Sequence, residues 1–203
     1  MRPGSLIFWL LCAFGTSLGI GALVLAAAGA GVAGTRLALD MTARFSFLLF
    51  WLAYTGGALH DLFGPVFLPL KRHARTLGLA FASAQSAHFM LVAWLCYLGA
   101  APSLSTFLFF GTALIWLYLI ALLSFSTIQR HCPPRLRQLI FFMGLNYIAY
   151  AFAVDFFVSP LQGGLKHVLF YLPFALAALA GPSLRLAAFL RRAKRSMLLS
   201  RTA

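Results

Sequence analysis

Five polar side chains stand inside long apolar stretches of this sequence: His60, Asp61, His88, Asn146 and Asp155. A central charged residue costs on the order of 2.5 to 3.5 kcal/mol on membrane-insertion scales, so each is a candidate for chemistry. An imidazole can ligate a metal or carry a proton, a carboxylate can hold a proton or pair with a cation, and a carboxamide can hydrogen-bond in both directions. Counted from the inner helix ends, His60 lies about 13 Å deep before Pro69, His88 about 18 Å after Thr76 and Asn146 about 13 Å after Arg137. These depths predict one polar layer shared by three spans. Asp155 is nine residues beyond Asn146, which turns it about 180° away, so it reads as a solvated residue near the outer boundary. Gln85 and His88 share a helix face among Gly78, Ala80, Ser83, Ala84 and Ala87. Such small residues leave room for a neighbouring helix or a flat cofactor.

The elements that must position these groups are membrane spans. The chain has 203 residues, of which 62% are hydrophobic and 9% charged, with a mean hydropathy of +0.92. Soluble domains carry roughly a quarter charged residues. Six apolar runs, about 6–28, 45–68, 77–99, 104–125, 139–158 and 168–190, are each long enough to cross a hydrocarbon core of about 30 Å. An all-α bundle of six spans is therefore expected, as one integral membrane domain over residues 1–203. The first run reads as an uncleaved span, in which Gly15 and Gly19 form a small-xxx-small pair able to admit a neighbour.

Sixteen Lys and Arg stand against three acidic residues, and thirteen of the sixteen fall on one side of the predicted spans. Arg36, Arg44 and Lys166 are the exceptions. By the positive-inside rule both termini are expected in the cytoplasm, with an inner-membrane location in a bacterium. The basic balance has this topological cause, and no nucleic-acid surface is expected. The basic segment from Ser183 onward reads either as a positive stop or as a helix lying on an anionic leaflet. Cys12, Cys96 and Cys132 form no CxxC pair, which excludes a disulfide-stapled module. Phosphate-binding loops and Ser/His/Asp orders with a soluble context are also absent.

The stretch from Thr55 to His88 resembles the ferric reductase-like transmembrane domain, and in particular the haem-binding membrane subunit of the bacterial methionine-sulfoxide reductase system. The residues that carry the likeness are Thr55-Gly56, Ala58-Leu59, Pro69-Leu70 with Lys71-Arg72, then Arg75 and Leu77-Gly78-Leu79. The resemblance extends over spans two to six and implies that His88 is an axial ligand of haem iron. It also implies a second ligand in the fifth span, where this chain reads Leu145-Asn146-Tyr147, so Asn146 stands at the place of a lost imidazole. A further ligand about thirteen residues on falls on Ser159, and the equivalent position after His88 is Ala101. His60 is a weaker candidate for the missing ligand, and an Asp61 to His88 pair or a protonated Asp61 is the plainer account of the layer.

Three functions follow. The resemblance implies transmembrane electron transfer through a single b-type haem, with a quinone or a redox partner protein exchanging the electrons. A haem-free accessory or scaffold protein of the same fold is the alternative, and a small-solute or proton pathway through His60, Asp61 and His88 is the third. The topology is directly testable. In a cysteine-free background, Ser103→Cys should react with an impermeant maleimide in intact cells while Ser200→Cys should not, and the opposite pattern would invert the orientation.

Overall fold

The computed structural model describes residues 3–157 and 164–202. The fold is all-α, with no strand among the described residues. In chain order the helices are α1 (Pro3–Ala28), α2 (Val32–Phe63), α3 (Leu68–Tyr97), α4 (Leu104–Leu123), the single turn α5 (Ser126–Gln129), α6 (Pro134–Phe157) and α7 (Leu165–Thr202). All but α5 are long and apolar enough to cross a membrane. Large apolar side chains such as Leu11, Leu23, Ile115, Phe142 and Leu169 are exposed along them, as helices solvated by lipid require. The chain is an integral membrane protein built from six such helices. Ser159 and the end of the expected fifth span lie outside the described residues.

The second helix corrects the sequence reading. Its first residue is Val32, so the segment around Arg36, Asp40 and Arg44 is helix and not a connection. Charges interrupt the hydropathy there, but Ala38, Thr42 and Ser46 recur every fourth residue and all three are buried. Their shared face packs inward. Thr35 and Thr42 also return their hydroxyls to carbonyls one turn back, Gly31 O at 2.9 Å and Ala38 O at 2.8 Å. The last helix likewise runs well past the expected end at residue 190, through the basic segment to Thr202.

The chain forms two compact units, Met1–Phe50 with Arg75–Ile148, and Trp51–Ala74 with Ala149–Ala203. In the first unit α1 and α3 run parallel. Ala13 packs with Ala80 and Ala84, Ser17 Oγ donates to Ala84 O at 3.0 Å, and a Cβ on Gly21 would meet Leu91 Cδ1 at 3.1 Å. The small-residue seam is therefore Ala13, Ser17 and Gly21. Gly15 and Gly19 have open space beside them, since two residues of offset turn them about 200° from the seam. Within the same unit α2 and α3 are antiparallel: Thr42 meets His88, and Phe50 meets Phe81 with ring centroids 5.4 Å apart. Helix α4 joins through Ser86 and the Tyr118 hydroxyl, and α6 through Tyr147, which donates to Phe109 O at 3.1 Å.

In the second unit the end of α2 runs parallel to α7. Trp51 Nε1 donates to Ala177 O at 2.8 Å, Gly181 admits the Tyr54 ring, and the Arg185 guanidinium lies 4.3 Å from that ring's centroid. Such a cation over an aromatic face is worth about 0.5 to 2 kcal/mol. Gly64, at φ 93°, makes the turn after α2, and a 3-10 turn over Pro65–Phe67 leads into α3. The two arms then approach closely, so that a Cβ on Gly56 would stand 3.0 Å from the Leu70 backbone, whereas one on Gly57 meets nothing within 4 Å. Gly56→Ala should lower the thermal stability of the detergent-solubilised protein by about 1 to 3 kcal/mol through overpacking against backbone. Gly57→Ala should match or exceed the parent because alanine is the better helix former. Equal unfolding midpoints for the two variants would contradict the close contact.

Candidate functional site

His88 is positioned by a hydroxyl that is already committed elsewhere. Thr42 Oγ1 lies 2.8 Å from Ala38 O and 3.1 Å from Leu39 O, so its single hydrogen is directed to its own helix. Its lone pairs remain for His88 Nδ1, 2.9 Å away on α3. Nδ1 must therefore be the donor, which places the ring proton there and leaves a lone pair on Nε2. The imidazole is half-buried and held in one orientation, and in its neutral form the bond selects the tautomer with the proton on Nδ1. That is the arrangement by which metal-ligating histidines are commonly fixed by their outer partners.

Two further polar atoms lie along the same antiparallel pair. Ser46 comes between Thr42 and Phe50 on α2, and Gln85 between Phe81 and His88 on α3. Ser46 Oγ and Gln85 Oε1 are both buried and have no hydrogen-bond partner among the described residues. A buried acceptor left unpaired costs about 1 to 3 kcal/mol, so this seam retains unused hydrogen-bonding capacity. Asn146, the remaining member of the predicted layer, is half-buried on α6, and its Nδ2 donates to Phe142 O at 2.7 Å. One of its two amide hydrogens is thus used within its own helix.

His60 and Asp61 belong to a different centre. Because α2 ends at Phe63, His60 lies in its last turn and not about 13 Å inside as the distance to Pro69 suggested. Asp61 is neither a neutral carboxyl nor a partner of His88. Its Oδ1 is 3.0 Å from Lys71 Nζ and 3.1 Å from His60 Nδ1, and its Oδ2 is 3.5 Å from Arg192 Nε. Lys71 reaches it because the Gly64 turn folds the start of α3 back beside the end of α2. Arg191 completes the group by donating to the exposed carbonyls of Asp61 at 3.0 Å and Leu62 at 2.6 Å, a cation closing the negative end of a helix. Asp155 is exposed on α6.

Thr42 and Ser46 were not singled out by the sequence reading, and Lys71, Arg191 and Arg192 entered it only through a basic pair and the one-sided charge distribution, with no role in a site. Lys71 was accessible to it, since ten residues and a Gly-Pro turn separate the lysine from Asp61. Arg191, 130 residues away, carried no local signal. Among the described residues no three His, Cys, Asp or Glu side chains gather as a metal-binding group. Comparison with family models, curated proteins and solved structures finds no match to this chain.

The Thr42 bond makes a stability prediction. Thr42→Val keeps the shape but removes the acceptor, leaving the His88 N–H without its partner, and should cost about 1 to 3 kcal/mol. Thr42→Ser retains the oxygen and should remain within about 0.5 kcal/mol of the parent in thermal unfolding. A valine variant as stable as the serine variant would show that the bond does not hold the ring.

Proposed function

We propose that this protein is a ferric reductase-like membrane protein that transfers electrons across the bilayer through one b-type haem ligated by His88. The observation that carries the proposal is the Thr42 to His88 bond, which fixes the imidazole with its proton on Nδ1 and its lone pair on Nε2. The resemblance over Thr55 to His88 supports the same residue independently. The chain's donor set fits one axial ligand. Asn146, at the position of the second, offers only a carboxamide, which is no substitute for imidazole as a strong ligand. Bound at His88, a b-type haem supplies reversible one-electron chemistry at its iron.

The residues themselves then perform two tasks. Thr42 orients the ring, and the Ser46 and Gln85 oxygens offer hydrogen-bonding capacity along the seam. A quinone or a separate redox protein exchanges the electrons. Both termini are cytoplasmic in this reading and the membrane is a bacterial inner membrane, which rests on the one-sided distribution of Lys and Arg.

The alternative is a haem-free accessory protein of the same fold. The Asn146 to Phe142 bond favours it, because the residue at the lost ligand position is engaged in its own helix. A visible spectrum of protein purified from haem-replete cells, before and after dithionite, separates the two. The electron-transfer reading expects a reduced b-type spectrum, at most one haem per chain by pyridine haemochrome, and loss of colour in His88→Ala. In Asn146→His it expects higher haem occupancy and a six-coordinate spectrum, a gain that His88→Ala abolishes. A folded Asn146→His protein that stays colourless would leave the accessory reading in place.

A further inference from the structure

The end of α2 carries a second site, independent of His88. A cleft of about 580 Å³ lies there within the second unit, and its polar lining comprises His60, Asp61, Lys71, Arg191, Arg192 and Arg195. Four cations thus face one carboxylate. Two of them are aimed by that carboxylate, Lys71 Nζ at 3.0 Å and Arg192 Nε at 3.5 Å. A third, Arg191, is anchored by neutral carbonyls that leave its charge uncompensated. Arg195, one turn further along α7, is exposed and has no ion-pair partner among the described residues.

Packing like charges together costs energy that this chain does little to recover. It has only three acidic residues, Asp40, Asp61 and Asp155, and Asp61 is the one in the cleft. The complementary charge must come from a ligand. Forked guanidiniums beside an ammonium suit a phosphate, which accepts several charge-assisted hydrogen bonds at once. The rim of the cleft indicates which phosphate. Phe63 and Gly64 line it, Phe63 is 60% exposed, and its ring meets Phe67 with centroids 6.0 Å apart. An apolar edge beside a basic floor, at the end of a helix long enough to cross a membrane, matches an amphiphile whose headgroup is anionic. We propose that this cleft binds the phosphate group of an anionic phospholipid, with the lipid's apolar part against Phe63.

The test uses the full-length protein, delipidated in a non-ionic detergent and titrated calorimetrically with short-chain phosphatidylglycerol. Phosphatidylcholine of the same chain length, inorganic phosphate and glycerol 3-phosphate are the comparison ligands. Saturable binding of phosphatidylglycerol is expected, with phosphatidylcholine at least about tenfold weaker, because its quaternary ammonium neutralises its own phosphate and is repelled by the cations of the cleft. Arg195→Gln and Lys71→Gln, from two different helices of the cleft, should each weaken phosphatidylglycerol by about tenfold. Lys194→Gln, which removes an equal charge from α7 outside the lining, should change it by less than about twofold. Thermal unfolding of Arg195→Gln should match the parent, because this exposed side chain takes part in no ion pair among the described residues. Equal losses in Arg195→Gln and Lys194→Gln would reduce the effect to general surface charge and overturn the site. Equal affinity for both lipids would overturn the headgroup assignment. Inorganic phosphate or glycerol 3-phosphate binding as tightly as the lipid, and competing with it, would make the ligand a soluble phosphate and overturn the lipid assignment.

Discussion

In hydrocarbon there is no water to accept a hydrogen bond, so polar side chains on these helices are driven to find partners within the protein, and main-chain carbonyls are the most abundant acceptors. Ser17 donates to Ala84 O, Ser83 to Leu10 O, Trp51 to Ala177 O and Tyr147 to Phe109 O. Each bond joins two helices, and each requires their backbones to come close. Small residues at Ala13, Gly21, Gly56, Gly144 and Gly181 permit that approach, with the Leu70 backbone or the side chains of Leu91, Trp116, Ile120 and Tyr54 filling the space a larger residue would need. Lipid-facing leucine is no more apolar than the lipid itself, so these contacts carry much of the specificity of helix pairing.

The same shortage of solvent explains how the charges are used. Helix α2 ends at Phe63 with its last carbonyls directed outward, and Arg191 supplies the donor hydrogens they need. Asp61 then serves as an organiser, drawing Lys71 from α3 and Arg192 from α7 to one point. This requires α7 to continue as helix beyond its apolar part, and it does so to Thr202. A basic segment that could have been only a positive stop thereby contributes side chains to a defined cleft.

At His88 the decisive feature is the order in which hydrogens are committed. Thr42 has one hydrogen and gives it to its own helix, so its oxygen can only accept from the imidazole. Orientation and tautomer are set by a residue that itself touches no ligand, the usual role of an outer partner around a metal-binding histidine. The proposed haem site depends on this hydroxyl as well as on the histidine.

The six apolar helices were legible in the sequence because a run of about 20 apolar residues has few alternatives to crossing a membrane. His88 was singled out in the sequence by its setting among small residues and by a local resemblance, and the structure adds its bond to Thr42. What hydropathy could not supply was helical phase and long-range pairing. The start of α2 was missed because Arg36, Asp40 and Arg44 interrupt the apolar run, although the buried Ala38-Thr42-Ser46 face shows that a helix continues through them. The seam of α1 was placed on Gly15 and Gly19, whereas the face two residues away does the packing. His60, counted from Pro69, was assigned to a mid-membrane layer because the sequence did not reveal that the helix stops at Phe63. The contacts of Thr42 with His88 and of Asp61 with Arg192 join residues far apart in the chain. Only the packing of the helices brings such residues within hydrogen-bonding distance, and that packing decided which polar residues act together.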